Sequence, residues 1–356
     1  MRVHQMTYGM MMGDAIANHV LEIDARLRNW GYDTAIYAQH VAPEMTGRVR
    51  RDSDFAPHLH ARDELLIYHY SIYSPNTRLF RAARGRRLLI YHNITPPHFF
   101  RRWDAGQALL CEAGLRALRT LRECDLALGA SEFNRQELID AGFSPEATGV
   151  LPIFLPPFPD VPHVKIGASE TVNWLTVGRV VPNKAIEDVI RIFYVYHRFI
   201  NARSRLDIAG SRYLPAYDAQ LDRLVAELGL TDCVTFAGRV SDAELAAYYR
   251  AADLYVAASF HEGFCAPLVE CMHFGVPILA RKAAAMPETL GDGGVLFTDL
   301  GYDQVAEMAH LLVDDAALRQ RVIQKQKERL QVLGPDRAEA ALMQALARLG
   351  LPARLT

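Results

Sequence analysis

Two glutamates eight positions apart flank the start of a predicted helix. Residues 259–277 read SFHEGFCAPLVECMHFGVP and follow the apolar run DLYVAA, so the chain leaves a strand, turns at Gly263 and enters a helix. A helix N-terminus presents unpaired N–H groups and the positive end of the helix dipole, which together hold phosphate. Glu262 lies just before this anion site and Glu270 about two turns after it, and a carboxylate is a good acceptor for sugar hydroxyls.

A hexose, a diphosphate and a ribose match that order of groups, so the segment predicts a nucleotide-sugar site. The alternative, non-functional interpretation is that Glu262 and Glu270 are a pair of surface glutamates, which any helix can carry. The predicted donor-binding residues of this segment are Glu262, Gly263, Phe264, Cys265, Ala266, Pro267, Leu268 and Glu270. Among them, Phe264, Cys265 and Ala266 are expected to supply the backbone N–H groups.

The elements that must position these residues are strands and helices in alternation. Short apolar runs alternate with amphipathic stretches along almost the whole chain, which is typical of parallel sheets covered by helices. Strands are predicted at residues 3–7, 34–38, 65–70, 88–92, 126–130, 150–152, 174–178, 206–209, 234–237, 254–258 and 277–280. Helices are predicted at residues 14–30, 107–123, 132–141, 186–196, 217–228, 242–250, 266–274 and 336–349. The predicted fold class is α/β, with two doubly wound Rossmann-like domains facing a cleft in which ligands bind after the strand ends.

A proline-rich stretch divides the two series of elements. Residues 154–168 contain four prolines, Pro156, Pro157, Pro159 and Pro162, and cannot continue a helix or a central strand. We therefore expect a first domain at residues 1–153, a linker at 154–168 and a second domain, with the predicted nucleotide-sugar segment, at 169–335. A C-terminal helix within residues 336–356 is expected to pack back on the first domain.

Composition excludes several classes of protein. Half of the residues are hydrophobic and the net charge is −2, so no overall field favours nucleic acid as a partner. No apolar run has the length of a membrane-spanning helix, and the first residues do not have the pattern of a signal peptide. The five cysteines are scattered and form no CxxC pair, which predicts neither a zinc site nor a disulfide framework. A cytoplasmic location is expected.

The local charge is uneven between residues 78 and 122. This stretch contains ten arginines and two acidic residues, Asp104 and Glu112. The arginines are Arg78, Arg81, Arg84, Arg86, Arg87, Arg101, Arg102, Arg116, Arg119 and Arg122. Two interpretations stay open: a set of solvated helix faces, or peripheral contact with an anionic membrane, such as the inner face of the cell membrane, or with a pyrophosphate-bearing acceptor.

The second half of the chain resembles the retaining glycosyltransferases of the family-four type, glycosyl transferases group 1, which have the GT-B fold. The resemblance rests on VGRVVPNK, LDIAG, VTFAGRVSDAELAAYYRAADLYVAAS, HEGFCAPLVE, FGVPILA and MPETLGDGG, in that order and at similar spacing. It implies a nucleotide-sugar donor, with GDP-mannose and UDP-hexoses both open, and a saccharide or lipid-linked acceptor. It also implies transfer with retention, in which the leaving phosphate helps to deprotonate the acceptor and no protein nucleophile is needed.

The resemblance also implies site residues outside the glutamate segment. Arg179 and Lys184 occupy positions that clamp the donor diphosphate in the family, where two fixed cations stabilise the charge that develops as the glycosidic bond breaks. Gly238, Arg239 and Val240 resemble the turn that reads the nucleobase. In the first half, His92 stands where the family often has a histidine that contacts the donor sugar.

The resemblance implies that residues 1–153 are the acceptor-side domain, and other positions of this half match the family less closely. Gly13 and Asp14 can form the turn before the first helix, although YGMMMGDA departs from the usual Gly-Gly loop and a plain strand-to-helix connection is equally open. Asn93 and Thr95 are weaker candidates for acceptor contacts. The predicted catalytic set is Glu262, His92, Arg179 and Lys184.

The predicted activity is transfer of a hexosyl unit in polysaccharide or glycolipid assembly. No cofactor and no metal are expected, because protein cations can take the role of a divalent ion at the diphosphate. A GT-B-shaped sugar-nucleotide epimerase is one alternative and needs an acid/base set that the sequence does not offer. A non-catalytic nucleotide-sugar-binding protein is another. A dehydrogenase is disfavoured because no GxGxxG follows a predicted strand.

Overall fold

The computed structural model describes residues 2–161 and 170–351. They form two compact units. The first contains residues 2–98, 105–156 and 333–351, and the second contains residues 99–104, 157–161 and 170–332. The chain therefore enters the second unit briefly between two elements of the first.

The first unit is built on a seven-stranded parallel sheet. Its strands are β1 (Arg2–Met10), β2 (Asp33–Val41), β3 (Val49–Arg51), β4 (Leu65–Tyr70), β5 (Arg86–Tyr91), β6 (Leu126–Gly129) and β7 (Thr148–Val150), and their order is β3-β2-β1-β4-β5-β6-β7. The order reverses between β1 and β4, as in a doubly wound fold. All six residues of β4 are buried, as expected for a central strand covered on both faces.

The helices of the first unit follow its strands. They are α1 (Ala15–Asn29), α2 (Asn76–Ala82), α3 (Ala105–Leu118), α4 (Glu132–Asp140) and, from the far end of the chain, α12 (Pro335–Arg348). Ala338, Leu342 and Leu346 of α12 are buried in the same core as residues of β1, β4, β5 and β6. The last helix is therefore an integral part of the first unit.

The second unit has a six-stranded parallel sheet of the same kind. Its strands are β8 (Val172–Val177), β9 (Ser204–Ala209), β10 (Val234–Gly238), β11 (Leu254–Ala257), β12 (Ile278–Arg281) and β13 (Val295–Phe297), in the order β10-β9-β8-β11-β12-β13. Its helices are α5 (Ile186–Val195), α6 (Pro215–Glu227), α7 (Asp242–Ala251), α8 (Ala266–Phe274), α9 (Met286–Leu290), α10 (Tyr302–Asp314) and α11 (Ala316–Leu333). The neighbours β8 and β11 sit at the reversal point of this sheet.

The structure confirms the α/β fold class with two parallel sheets, each covered by helices. All the predicted strands and helices are present, with ends that differ by up to five residues. The predictions omitted β3, β13, α2, α9, α10 and α11. The helix predicted at residues 107–123 ends as an α-helix at Leu118 and continues as a 3-10 turn, Arg119–Leu121.

The proline-rich stretch is packed at its first residues. Phe154 is 2% exposed in the core of the first unit, and its backbone N–H donates to His19 Nδ1 at 2.9 Å. Phe158 packs against Tyr249 and Phe274 of the second unit. The structure thus divides the chain between residues 156 and 157, and residues 162–168 of the predicted linker lie outside the described residues.

Candidate functional site

Lys184 and Glu262 form an ion pair at the carboxyl ends of β8 and β11. Lys184 Nζ lies 2.7 Å from Glu262 Oε1, and both side chains are about 85% buried. Ser259 Oγ donates to the same carboxylate oxygen at 2.9 Å. Burial lowers the pKa of Lys184, but the Glu262 carboxylate more than offsets this and the pKa lies above its ordinary value. The two residues, 78 positions apart in sequence, therefore make one fixed unit of opposite charges.

One backbone hydrogen bond and one side-chain hydrogen bond join the two loops that carry this pair. The N–H of Phe260 donates to the carbonyl of Asn183 at 2.8 Å, and Asn183 Nδ2 donates to the carbonyl of His261 at 3.0 Å. Ala185, next to Lys184, has a left-handed backbone with φ 48°. A residue other than glycine in this conformation is strained, and such strain is typical of functional loops.

Two glycines leave room for the Lys184 side chain and for the loop behind it. A Cβ on Gly178, which follows β8 with φ 131°, would lie 2.8 Å from both Cε and Nζ of Lys184. A Cβ on Gly210, which follows β9, would overlap the carbonyl oxygen of Gly178. The close approach of these two backbones requires glycine at position 210 and lets Lys184 lie directly against the end of β8.

Arg281, at the end of β12, braces both loops and was not among the predicted site residues. Its Nε donates to the carbonyl of Ala258 at 2.9 Å, and its Nη2 lies 2.7 Å from the carboxylate of Asp188 in the first turn of α5. The guanidinium also lies 4.2 Å from the ring centre of Phe260. No local motif marks this residue, because its role comes from the order of β8, β11 and β12 in the sheet.

The N-terminus of α8 follows Glu262 after three residues. Cys265 precedes the helix with a left-handed backbone, φ 65°, and no side chain among the described residues caps the helix. Phe264, Cys265, Ala266 and Leu268 are buried, whereas Gly263 and Pro267 are partly exposed. Since Pro267 has no N–H, the predicted donors are those of Phe264, Cys265 and Ala266. Burial raises the pKa of the Cys265 thiol, which favours its protonated form.

Glu270 lies in α8 and is held by Tyr249 of α7. The hydroxyl of Tyr249 donates to Glu270 Oε2. Burial raises the pKa of Glu270 to about 7, although the tyrosine hydrogen bond and the nearby Lys184 both act to lower it. Glu270 is therefore a carboxyl group that changes its charge near neutral pH.

The other predicted donor residues lie at the same edge of the second sheet. Arg179 is exposed directly after Gly178, and its charge acts to lower the pKa of Lys184. Gly238 ends β10 with φ 68°, and its carbonyl accepts from the N–H of Gly210 at 2.8 Å. Arg239 is exposed, while Val240 packs partly against the core of this unit. The structure brings these residues to the strand ends, as a donor site in this unit requires.

The remaining predicted residues belong to the first unit. Gly13 adopts φ 71°, and the Asp14 carboxylate caps α1 by accepting from the N–H groups of Ile16 at 2.9 Å and Ala17 at 3.1 Å. Asp14 therefore has a structural role at a helix start. This geometry agrees with the plain strand-to-helix connection and gives no separate support to an acceptor contact.

His92 follows β5 and is part of a buried chain of hydrogen bonds. Gln5 Nε2 donates to the carbonyl of Val20 at 3.1 Å, so Gln5 Oε1 is the acceptor for His69 Nε2 at 2.9 Å. His69 Nδ1 must then accept from His92 Nε2, at 3.0 Å. The remaining nitrogen, His92 Nδ1, is a buried acceptor without a partner in the described part of the chain. Burial lowers the pKa of His92 to about 3, so the ring is neutral.

His19 completes a cluster with His69 and His92, with one nitrogen of each within 4.8 Å of the others. Because the Phe154 N–H donates to His19 Nδ1, a neutral His19 carries its proton on Nε2. A protonated nitrogen cannot bind a metal ion, so these hydrogen bonds do not fit a metal site with His19 as a ligand.

Asn93 and Thr95 follow His92 in the same loop. Asn93 has a strained backbone, φ 76°, and its Nδ2 donates to Asn134 at 3.0 Å and to Glu137 at 2.6 Å. Burial raises the pKa of Glu137 to about 7. The side chain of Asn93 thus holds the loop, and Thr95 is half-buried beside it.

The arginine-rich stretch is divided between the two units. Arg101 and Arg102 belong to the second unit, and the other eight belong to the first. Arg86 and Arg87, at the start of β5, are half-buried, while Arg78, Arg81, Arg84, Arg116, Arg119 and Arg122 are exposed. Among the described residues no helix combines the length and the apolar character needed to span a membrane.

Comparison with known proteins finds a family match within the second unit. Residues 166–329, most of the second unit, match the family model described as "Glycosyl transferases group 1". The matched range contains Arg179, Lys184, Glu262 and Glu270, and the turn Gly238–Val240.

Two curated relatives are mannosyltransferases by name. The chain is 38% identical over 96 residues to the MMP alpha-(1->4)-mannosyltransferase of Mycolicibacterium hassiacum, covering 26% of this chain and 23% of the relative. It is 30% identical over 138 residues to the O-antigen chain mannosyltransferase B of Escherichia coli, covering 39% and 35%. The chain thus spans about a third or less of the length of these two relatives.

Solved structures match over nearly the whole chain. HepE of Anabaena, solved with UDP and glucose, aligns with a TM-score of 0.75 at 17% identity, covering 98% of this chain and 99% of HepE. WaaG, a glycosyltransferase involved in lipopolysaccharide biosynthesis, aligns with a TM-score of 0.72 at 13% identity, covering 98% and 100%. These likenesses establish the GT-B fold. The comparisons therefore show similarity to the glycosyl transferases group 1 family over residues 166–329.

Proposed function

We propose that this protein transfers a hexosyl unit from a nucleoside diphosphate sugar to an acceptor hydroxyl with retention of configuration. The observation that carries the proposal is the Lys184–Glu262 pair at the N-terminus of α8, within the part that matches the family model. This pair supports a site in which the Lys184 cation contacts the diphosphate and the Glu262 carboxylate accepts hydrogen bonds from sugar hydroxyls. The α8 N–H groups and Arg179 add further positive potential.

The reaction needs no group beyond these residues and the two substrates. The bond between the anomeric carbon and the leaving phosphate oxygen breaks, and the acceptor oxygen forms its bond to the same face of that carbon. The acceptor proton moves to an oxygen of the leaving diphosphate. Lys184, Arg179 and the α8 N-terminus stabilise the negative charge that develops on the diphosphate, and Glu262 orients the sugar.

A contact between His92 and the donor sugar requires a change in the orientation of the His92 ring. Its Nε2 is engaged by His69 and its Nδ1 is enclosed, so neither ring nitrogen is open to a sugar hydroxyl in this conformation. A contact from His92 to the donor sugar therefore requires the ring to turn. We retain His92 as a proposed donor contact on the family resemblance alone.

GDP-mannose is the first candidate donor, because the two relatives are named mannosyltransferases, and UDP-glucose is the second, because HepE was solved with UDP and glucose. The proposed acceptor is a saccharide or a lipid-linked saccharide.

The test is a thermal-shift panel of nucleotide sugars followed by a transfer or hydrolysis assay with each binder. A bound donor raises the melting temperature by mass action. Binding without release of nucleoside diphosphate in the presence of any tested acceptor would favour the non-catalytic alternative, and interconversion of two sugar nucleotides would favour the epimerase.

Glu270→Gln should weaken nucleotide binding more than it affects turnover. The ionised carboxylate accepts stronger hydrogen bonds from ribose hydroxyls than an amide does. Because the pKa of Glu270 is about 7 in the free protein, its ionised fraction rises between pH 6 and pH 8, by about tenfold. Calorimetry with GDP and UDP should therefore show an affinity ratio of wild type to variant that grows with pH in this window.

The exposed Glu227, at the end of α6, offers a control for that measurement. Glu227→Gln should leave nucleotide affinity unchanged at every pH. Taking the ratio of wild type to variant at each pH removes the titration of the nucleotide phosphates themselves. An equal affinity of wild type and Glu270→Gln across the range would show that this carboxylate does not bind the ribose.

Brief exposure to EDTA should leave the initial rate of transfer largely unchanged. Protein cations and the α8 N-terminus take the place of a divalent ion at the diphosphate in the proposed mechanism. The measurement is the initial rate immediately after addition of the chelator, compared with an untreated sample. Complete loss of activity that magnesium or manganese restores would overturn the metal-independent mechanism.

Peripheral contact with an anionic membrane stays a proposal for the exposed arginines of the first unit. Binding to acidic vesicles should be salt-sensitive, because exposed charges are screened over about 10 Å at 0.1 M ionic strength. Reversal of three exposed residues, Arg78, Arg81 and Arg84, to glutamate should reduce cosedimentation with acidic vesicles and leave nucleotide affinity unchanged. The same reversal at exposed positions of the second unit, Arg223, Arg321 and Lys327, is the control. Wild type that stays in the supernatant at low and high salt would eliminate the membrane proposal.

A further inference from the structure

Three side chains of metal-binding type meet at the amino ends of β1 and β4, in the first unit. His4 lies in β1, His58 ends the 3-10 segment Asp52–His58, and Glu64 directly precedes β4. Glu64 Oε2 lies 2.9 Å from His4 Nε2 and 3.0 Å from His58 Nδ1. One ligand atom of each residue lies within 4.8 Å of the other two. We call these three residues the His4 cluster.

The spacing of the His4 cluster is close to that of a zinc site. Zinc binds imidazole nitrogen and carboxylate oxygen at about 2.0–2.2 Å, which places neighbouring ligands of a tetrahedron about 3.3 Å apart. The two ligand distances to Glu64 Oε2 are shorter than this by only a few tenths of an ångström. A small outward movement of the two rings would therefore admit the ion.

The His4 cluster is mostly buried and lies beside a cavity. The His4 side chain is 3% exposed, and those of His58 and Glu64 are 16% and 14% exposed. A cavity of about 130 Å³ is lined by His4 and His58 together with Arg2, Asp33, Thr34, Ala35 and Arg50. This space can hold a water molecule as the fourth ligand of an ion.

Binding moves one proton on each ring, and for His4 the receiving nitrogen is Nδ1, which is buried and has no hydrogen-bond partner among the described residues. In the hydrogen-bonded arrangement each imidazole donates one N–H to Glu64, and the proton can move to the other ring nitrogen when a metal takes its place. The nearby positive charge opposes an ion, since Arg2 Nη1 lies 3.8 Å from Glu64 Oε1. Arg2 is half-exposed and is paired with Asp33 at 2.8 Å, which compensates part of its charge.

We propose that His4, His58 and Glu64 bind a divalent ion of the zinc class through three protein ligands. The ion would tie the segment between β3 and β4 to β1 and stabilise the first unit. The site is at the amino ends of the strands of the first unit, whereas the proposed donor residues follow the carboxyl ends of the strands of the second unit. The inference does not depend on the proposed function.

The test is calorimetric titration of untagged, chelator-treated protein with zinc chloride. We expect one equivalent to bind to the wild type, with affinity reduced about tenfold or more in His58→Ala and in Glu64→Gln. His60→Ala removes an exposed histidine two residues away and should bind zinc like the wild type. Zinc should also raise the melting temperature of the wild type and of His60→Ala, and not that of His58→Ala.

Arg2→Ala is expected to change zinc affinity in the direction opposite to His58→Ala and Glu64→Gln. Loss of this charge should strengthen zinc binding, because the Coulomb repulsion is removed and Asp33 is released. Thermal unfolding of Arg2→Ala must show a native fold, and tighter binding by the folded variant then distinguishes a built site from general damage. Equal zinc affinity in wild type, His58→Ala and Glu64→Gln would show that the His4 cluster is held by hydrogen bonds alone.

Discussion

Replacing Lys184 or Arg179 by alanine is expected to reduce turnover about 100-fold or more if each supplies a few kcal/mol to the transition state. Both cations are proposed to stabilise the diphosphate as it leaves, and this charge is larger in the transition state than in the bound donor. Lys184→Ala also leaves the mostly buried Glu262 carboxylate without its cation. We therefore expect the larger loss at Lys184, seen in kcat more than in KM.

Lys282→Ala is the control for these two variants, because Lys282 is an exposed lysine of the same unit, directly after β12. Its turnover should equal that of the wild type. Thermal unfolding of each variant shows whether a loss of activity is a loss of fold. Near-normal turnover in both Lys184→Ala and Arg179→Ala would remove them from the mechanism.

Gly210→Ala is expected to cost about 3 kcal/mol or more of folding free energy, at the upper end of the range for overpacking. The added Cβ would overlap the carbonyl oxygen of Gly178, which is backbone and cannot rotate away as a side chain can. Relief would require the end of β8 to move, and this is the segment that leads to Lys184. Chemical denaturation should therefore show a large loss of stability, and any folded fraction should be poorly active.

Gly229→Ala separates overlap from backbone strain. Gly229 adopts φ 67°, but a Cβ there would meet nothing within 4 Å. Its cost is the strain of a left-handed alanine alone, about 1 kcal/mol. A stability loss at Gly210 no larger than that at Gly229 would contradict the close approach of the two backbones.

The sequence predicted the elements well where apolar runs are long. Strand β4 and helix α8 have the predicted ends, Leu65–Tyr70 and Ala266–Phe274. Strands β3 and β13 have three residues each, which is too short for the alternation of apolar and polar residues in a strand to be recognised. Helix α11 buries only Val322 and Gln326 among many charged residues, so its apolar stripe is too narrow to identify it.

The sequence predicted which residues follow the strand ends at the candidate site. It did not predict which of these residues contact one another. The predicted positions of Lys184 and Glu262 depend on two motifs, but their ion pair depends on β8 and β11 being neighbours, which sequence alone does not give. The left-handed backbones of Ala185 and Cys265 carry no glycine to mark them. The brace formed by Arg281 depends on three elements at once. Asp14 differs from these residues, because the sequence proposed it for the acceptor side and the structure shows that its carboxylate caps α1.

The position of α12 has a consequence for the order in which the molecule can mature. Its residues complete the core of the first unit, yet a ribosome makes them only after all of the second unit. While the second unit is being synthesised, the apolar surfaces of β1, β4 and β5 that receive Leu342 and Leu346 remain uncovered. The second unit can therefore reach its native state first, whereas the first unit keeps this apolar surface exposed until α12 has been synthesised.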